Sequence, residues 1–175
     1  MITDKQADYL SKLPPEQADR EVSISPFSPQ MRAVAIQIGT ELANLLPGSH
    51  QYFLGSAALE IAGENDIDIV IVSSGNFEND KLTLIRSYGQ PVGGKEGRYS
   101  QWEFDRNGYK IDLSLNSDIA PPLQEQIDFH EILVSDPALK SEYNDLKLKM
   151  NGKTYKEYQT AKYEFFNRVL SEKSN

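Results

Sequence analysis

The sequence predicts an α+β fold: a mixed sheet with flanking helices, followed by a C-terminal helical region. Three observations carry this. Residues 29–46 repeat apolar side chains at helical spacing, residues 66–72 and 99–115 read as strands, and the chain after Pro121-Pro122 reads as helix. The chain has 175 residues, 39% of them hydrophobic and 25% charged, enough to bury a core of about one domain with an appendage. The expected organisation is an N-terminal extension over 1–19, an α+β core over 20–120, and a helical region over 121–175 packed on that core.

Taken in order, residues 1–13 form a short helix that Pro14 and Pro15 stop. Residues 21–27 alternate and lead in as an extended segment. Ser28 caps the next helix, with Pro29 at its first position. Met31, Val34, Ala35, Ile38, Leu42, Leu45 and Leu46 form its apolar stripe, and Pro47-Gly48 ends it. Tyr52-Phe53-Leu54 is a short strand stopping at Gly55-Ser56. Residues 66–72, DIDIVIV, are a buried β-branched strand. Residues 77–88 suit a helix with Leu82, Leu84 and Ile85 inward. Gly89 to Gly97 is a glycine-rich loop carrying Lys95, with Arg98 beside it. Tyr99–Asp105 and Tyr109–Leu115 then flank Asn107-Gly108, a strong hairpin signal. In the tail, Asp136-Pro137 starts a helix that Asn151-Gly152 closes. Thr154 with Glu157 makes a capping box for a last helix with Tyr158, Ala161, Phe165 and Val169 on one stripe.

Composition narrows the function classes. Acidic residues outnumber basic ones 26 to 18, a formal charge of -8, which argues against coating nucleic acid through bulk charge. The imbalance is local: residues 1–139 carry -11 and residues 140–175 carry +3. Without cysteine there are no disulfides, thiolate metal sites or thiol nucleophiles, and two histidines, His50 and His130, do not make a His-rich zinc site. No apolar stretch approaches the ~20 residues of a membrane span, and the polar N-terminus is unlike a signal peptide. A soluble cytoplasmic protein with no membrane partner is the expectation.

The chemistry lies in Gly55-Ser56 followed, nine residues later, by Asp66-Ile67-Asp68. Residues two apart on a strand share a face, so both carboxylates project together from an otherwise apolar strand. Such a pair resists burial unless a cation sits between its members, and a hard divalent ion with oxygen ligands, Mg²⁺ or Mn²⁺, suits it. Asp112 alternates with Ile111, Leu113 and Leu115 on the second hairpin strand and supplies a third acid for the same face. Gly55 lets a phosphate approach the backbone, and Ser56 can donate hydrogen bonds to it. Three converging carboxylates suit two-metal phosphoryl or nucleotidyl transfer. The tail lysines Lys147, Lys149, Lys153, Lys156 and Lys162, together with Lys95 and Arg98, are the cations available to a triphosphate; Trp102 and Tyr99 are the aromatics available to a base.

Gly55-Ser56, Asp66, Asp68 and Asp112 at these spacings resemble the signature of the DNA polymerase β-like nucleotidyltransferase superfamily. More narrowly, the chain resembles the GrpB family of small nucleotidyltransferase-like proteins. The likeness rests on Ile24-Ser25-Pro26-Phe27-Ser28-Pro29, on Phe129 to Pro137 leading into Tyr143-Asn144-Asp145-Leu146-Lys147, and on Tyr155, Lys162 and Phe165, and runs from about Val22 to Leu170. It departs from that family over Ala57 to Asn65, which lacks the usual Pro-Gly-Leu and Lys-Pro, and in Tyr109 to Leu113, where a His-rich strand is usual. The resemblance implies a nucleotidyltransferase-like core and Mg²⁺-dependent transfer of a nucleoside monophosphate from an NTP to a hydroxyl or phosphate acceptor. Asp66, Asp68 and Asp112 would be metal ligands and catalytic acids, with Gly55, Ser56 and Lys162 as triphosphate contacts; Arg98 is expected to join them from its place beside the glycine-rich loop and its charge. The competing expectations are a nucleotide-binding regulator without turnover and a non-catalytic interaction module on the same fold.

Overall fold

The computed structural model describes residues 1–173; the last two residues of the helical region expected over 121–175 lie outside it. In chain order the elements are α1 (Asp4–Ser11), α2 (Pro15–Ala18), α3 (Pro29–Leu45), β1 (His50–Leu54), α4 (Gly55–Leu59), β2 (Asp66–Val72) and α5 (Phe77–Tyr88). They continue as β3 (Gly93–Lys95), β4 (Tyr99–Arg106), β5 (Tyr109–Asn116), α6 (Pro121–Ser135), α7 (Pro137–Lys149) and α8 (Tyr155–Lys173). The chain divides into two compact units. One comprises Phe27–Glu60 and Asn65–Gln124; the other comprises Met1–Pro26, Ile61–Glu64 and Glu125–Asn175.

The first unit holds the sheet, in the order β1-β2-β5-β4-β3. β2 and β5 run parallel while the other pairings are antiparallel, so the sheet is mixed, as expected for this α+β fold. Alternation sorts its faces. Ile67, Ile69 and Ile71 from β2 and Ile111, Leu113 and Leu115 from β5 join Met31, Val34, Ile38 and Leu42 from α3 and Leu84 from α5 in one core. Trp102 on β4 is buried there, and its Nε1 donates to the Gly89 carbonyl at 2.8 Å. Asp66, Asp68 and Asp112 therefore point to the opposite face.

Most elements lie where the sequence puts them, and five details differ. Pro15 opens the one-turn helix α2 where only a stop was expected, because proline suits a first helical position. β1 begins at His50, two residues early, because its polar start still pairs in register with Ile71 and Val72. Gly55-Ser56 opens the short helix α4 rather than a simple turn. Gly93–Lys95 is a strand, since β4 offers a free edge that a pattern-free glycine run can pair with. Leu82 is exposed: it lies two residues, about 200° of helix, from fully buried Leu84.

The second unit is helical. Phe129 meets Tyr143 edge-on at 5.4 Å, and Tyr143 stacks on Phe165 at 4.8 Å. Val22, Ile24, Ala62 and Tyr158 form a further buried cluster, with the Ile24 and Ala62 N–H groups donating to Asn151 and Asn144 side chains. Asp136 Oδ1 caps α7, accepting from the N–H groups of Ala138 and Leu139, each at 3.1 Å. Asp136→Ala is expected to lower stability by about 1 kcal/mol in chemical denaturation. Asp136→Asn, which keeps the acceptor, should cost markedly less, and equal losses would remove the cap from the account. Among the described residues no helix is long and apolar enough to cross a membrane.

Candidate functional site

The parallel pairing of β2 with β5 sets Asp68 directly opposite Asp112, and Asp66 opposite Lys110. Each acid of the trio offers a carboxylate oxygen, and these oxygens all lie within 4.8 Å of one another, half-buried on one sheet face. The third acid thus stands where the hairpin strand was expected to bring it. Asp112 Oδ1 is buried and ion-paired with Lys110 Nζ at 3.1 Å. Burial pushes the Asp112 carboxyl above the usual carboxylate range, and Lys110 only partly offsets this. A set of three converging hard oxygen donors, only one of them balanced by a lysine, fits Mg²⁺ or Mn²⁺.

Gly55 is held tightly against this cluster. Leu54 ends β1 opposite Asp68, so the chain turns into α4 beside that carboxylate. Gly55 has φ +72°, and a Cβ at this position would overlap Asp68 Oδ2. The glycine expected to admit a phosphate also makes room for a ligand carboxylate. Ser56, next in α4, is buried.

Two residues that pattern reading passed over complete the neighbourhood. Lys110 Nζ lies 3.1 Å from Asp112 Oδ1 and 3.2 Å from Glu103 Oε2. Glu103 is the cross-strand partner of Asp112. The signal was present in the hairpin: a two-residue Asn107-Gly108 turn fixes Arg106 against Tyr109, and counting back puts Glu103 against Asp112. Burial alone lowers the Lys110 ammonium, but Asp112 and Glu103 more than reverse that and hold it above the usual lysine range.

The remaining candidates have their places within their own units. Arg98 is in the turn before β4, and its carbonyl accepts from the Ser117 N–H at 2.8 Å. That places its backbone beyond Asn116, about 17 Å along the strand direction from Asp112. Lys162 belongs to the helical unit, with Nζ 4.8 Å over the Tyr158 ring. Lys147 is buried in the same unit, and its Nζ donates to the Tyr158 hydroxyl at 3.1 Å. Trp102 is core, and Tyr99 is exposed.

No protein-family model matches the sequence, and no curated protein matches it. The GrpB likeness is carried by the motifs quoted above alone. Among solved structures the chain is similar to Cid1 poly(U) polymerase with MgGTP bound, at a TM-score of 0.47 and 16% identity over 66% of this chain and 41% of that one. The MgATP-bound H336N form of the same polymerase gives 0.44 and 16%, over the same shares. A cytoplasmic RNA terminal U-transferase gives 0.40 and 14%, over 75% of this chain and 43% of that one. The match spans less than half the length of each of these enzymes. At such scores the reading of the site rests on the geometry of this chain itself.

Proposed function

We propose that this protein is a divalent-cation-dependent nucleotidyltransferase, moving a nucleoside monophosphate from an NTP to a hydroxyl or phosphate acceptor. One observation carries the reading: three carboxylates from two parallel strands meet within 4.8 Å, with a glycine shaped around one of them. Asp66 and Asp68 would hold Mg²⁺ or Mn²⁺ from β2, and Asp112 from β5. Bound there, the cations would neutralise the triphosphate and lower the pKa of the acceptor hydroxyl. Gly55 and Ser56 border the cluster and are assigned to the β/γ-phosphates. The roles proposed for Arg98 and Lys162, contacts to the triphosphate, rest on their charge alone. In the reaction the acceptor oxygen bonds to the α-phosphorus, the bond from that phosphorus to the bridging oxygen breaks, and pyrophosphate leaves with the electron pair. A cytoplasmic setting, where NTPs are abundant, belongs to the same proposal.

The test is a calorimetric titration with each of the four NTPs, with and without Mg²⁺, alongside an assay for pyrophosphate release. Metal-dependent binding that Asp68→Ala abolishes, with pyrophosphate release in the presence of an acceptor, is the expected result. Binding without release would identify a nucleotide-binding regulator. Binding of neither metal nor nucleotide would leave an interaction module whose acids are surface charge.

A further inference from the structure

We infer that Lys110 is a positioning residue of the cation site: it serves as a built-in counter-cation that holds Asp112 while the site is empty and passes to Glu103 when a divalent ion arrives. The inference rests on the acid trio being a divalent site.

Lys110 and Asp112 are two apart on β5, so their side chains share the face that carries Asp66 and Asp68. Lys110 Nζ lies 3.1 Å from Asp112 Oδ1, an oxygen that is buried. A hard ion seeking that oxygen meets the ammonium first. The same Nζ is 3.2 Å from Glu103 Oε2, and the Lys110 side chain is 48% exposed, so it can pivot toward β4 and water without stranding its charge. Glu103 is thus a landing partner, held opposite Asp112 by the hairpin register. A lysine cannot bridge three carboxylates as a divalent ion does, because it offers one charge on a tether anchored to β5. The arrangement stabilises the empty trio against its own repulsion and raises the threshold at which a cation enters.

The experiment measures Mn²⁺ binding to the purified full chain, reading free Mn²⁺ by electron paramagnetic resonance, together with the thermal midpoint with and without Mn²⁺. Lys110→Met is expected to tighten Mn²⁺ binding by roughly tenfold, the scale on which one close charge acts. It should also lower the metal-free midpoint. Glu103→Gln should weaken Mn²⁺ binding in the parent and have little effect when combined with Lys110→Met, because Glu103 acts through Lys110. An effect of Glu103→Gln that persists undiminished in the double variant would reduce Glu103 to simple charge attraction and overturn the hand-over. Unchanged or weaker binding by Lys110→Met, repeated with Lys110→Gln should the first variant fold poorly, overturns the counter-cation role. Failure of the underlying site is distinct: neither the parent nor Lys110→Met then binds Mn²⁺ saturably, or Asp68→Ala leaves binding intact.

Discussion

Asp112→Asn is expected to lower nucleotidyl transfer by about a thousandfold or more, while nucleotide affinity stays within about tenfold, or about 1.4 kcal/mol. The amide keeps the shape of the carboxylate and loses its charge where the attacking oxygen must be activated. Asp66 and Asp68 remain to hold a cation with its triphosphate, so binding and turnover separate. The fold should survive, because Lys110 keeps Glu103 at 3.2 Å and the core-facing neighbours Ile111 and Leu113 are untouched. Pyrophosphate release and calorimetry on the same preparation check both halves. Unchanged turnover in a working assay would return Asp112 to the status of a hairpin charge.

Gly55→Ala should abolish metal-dependent nucleotide binding, a loss of well over tenfold, although no charged group is removed. Two costs arise at once. A non-glycine residue at φ +72° is strained by about 1–2 kcal/mol, and the new methyl occupies the place of Asp68 Oδ2. Only the second cost touches the site. Gly97→Ala separates them: Gly97 has φ +65° with nothing within 4 Å of an added Cβ. That control should lose similar stability and keep its metal binding. If Gly55→Ala binds Mn²⁺ and NTP as the parent does, Asp68 has another way to sit, and the tight cradle is not part of the site.

Periodicity made the helices over 29–45 and 77–88 legible because each buries one stripe, and alternation made the hairpin legible because each strand buries one face. The acids stood out for the same reason, as charges interrupting an apolar strand. Partner choice was hidden. Nothing local says that β2 pairs with β5 across the intervening residues 73–108, so the meeting of Asp68 with Asp112 could be expected but not registered. The steric role of Gly55 depends on the β1–β2 pairing and was hidden likewise. Lys110 and Glu103 were readable from the turn, yet a charge on an exposed hairpin draws no notice until its neighbour is known to be a ligand.

The division of the chain has a consequence for its synthesis. Every strand and the acid trio lie before residue 125, so a ribosome that has delivered Gln124 has supplied the whole sheet unit. The first 26 residues belong to the other unit, where Gln6 binds Asn167 and Tyr9 meets Tyr163 on α8. Asn167 follows Gln6 by 161 residues and is made after the whole sheet unit. Residues 1–26 therefore have to wait for α8 before these partners exist, while the sheet unit is free to close earlier. Proteases and chaperones that act on growing chains meet residues 1–26 before α8 is made, and the protection of that segment dates from the arrival of α8.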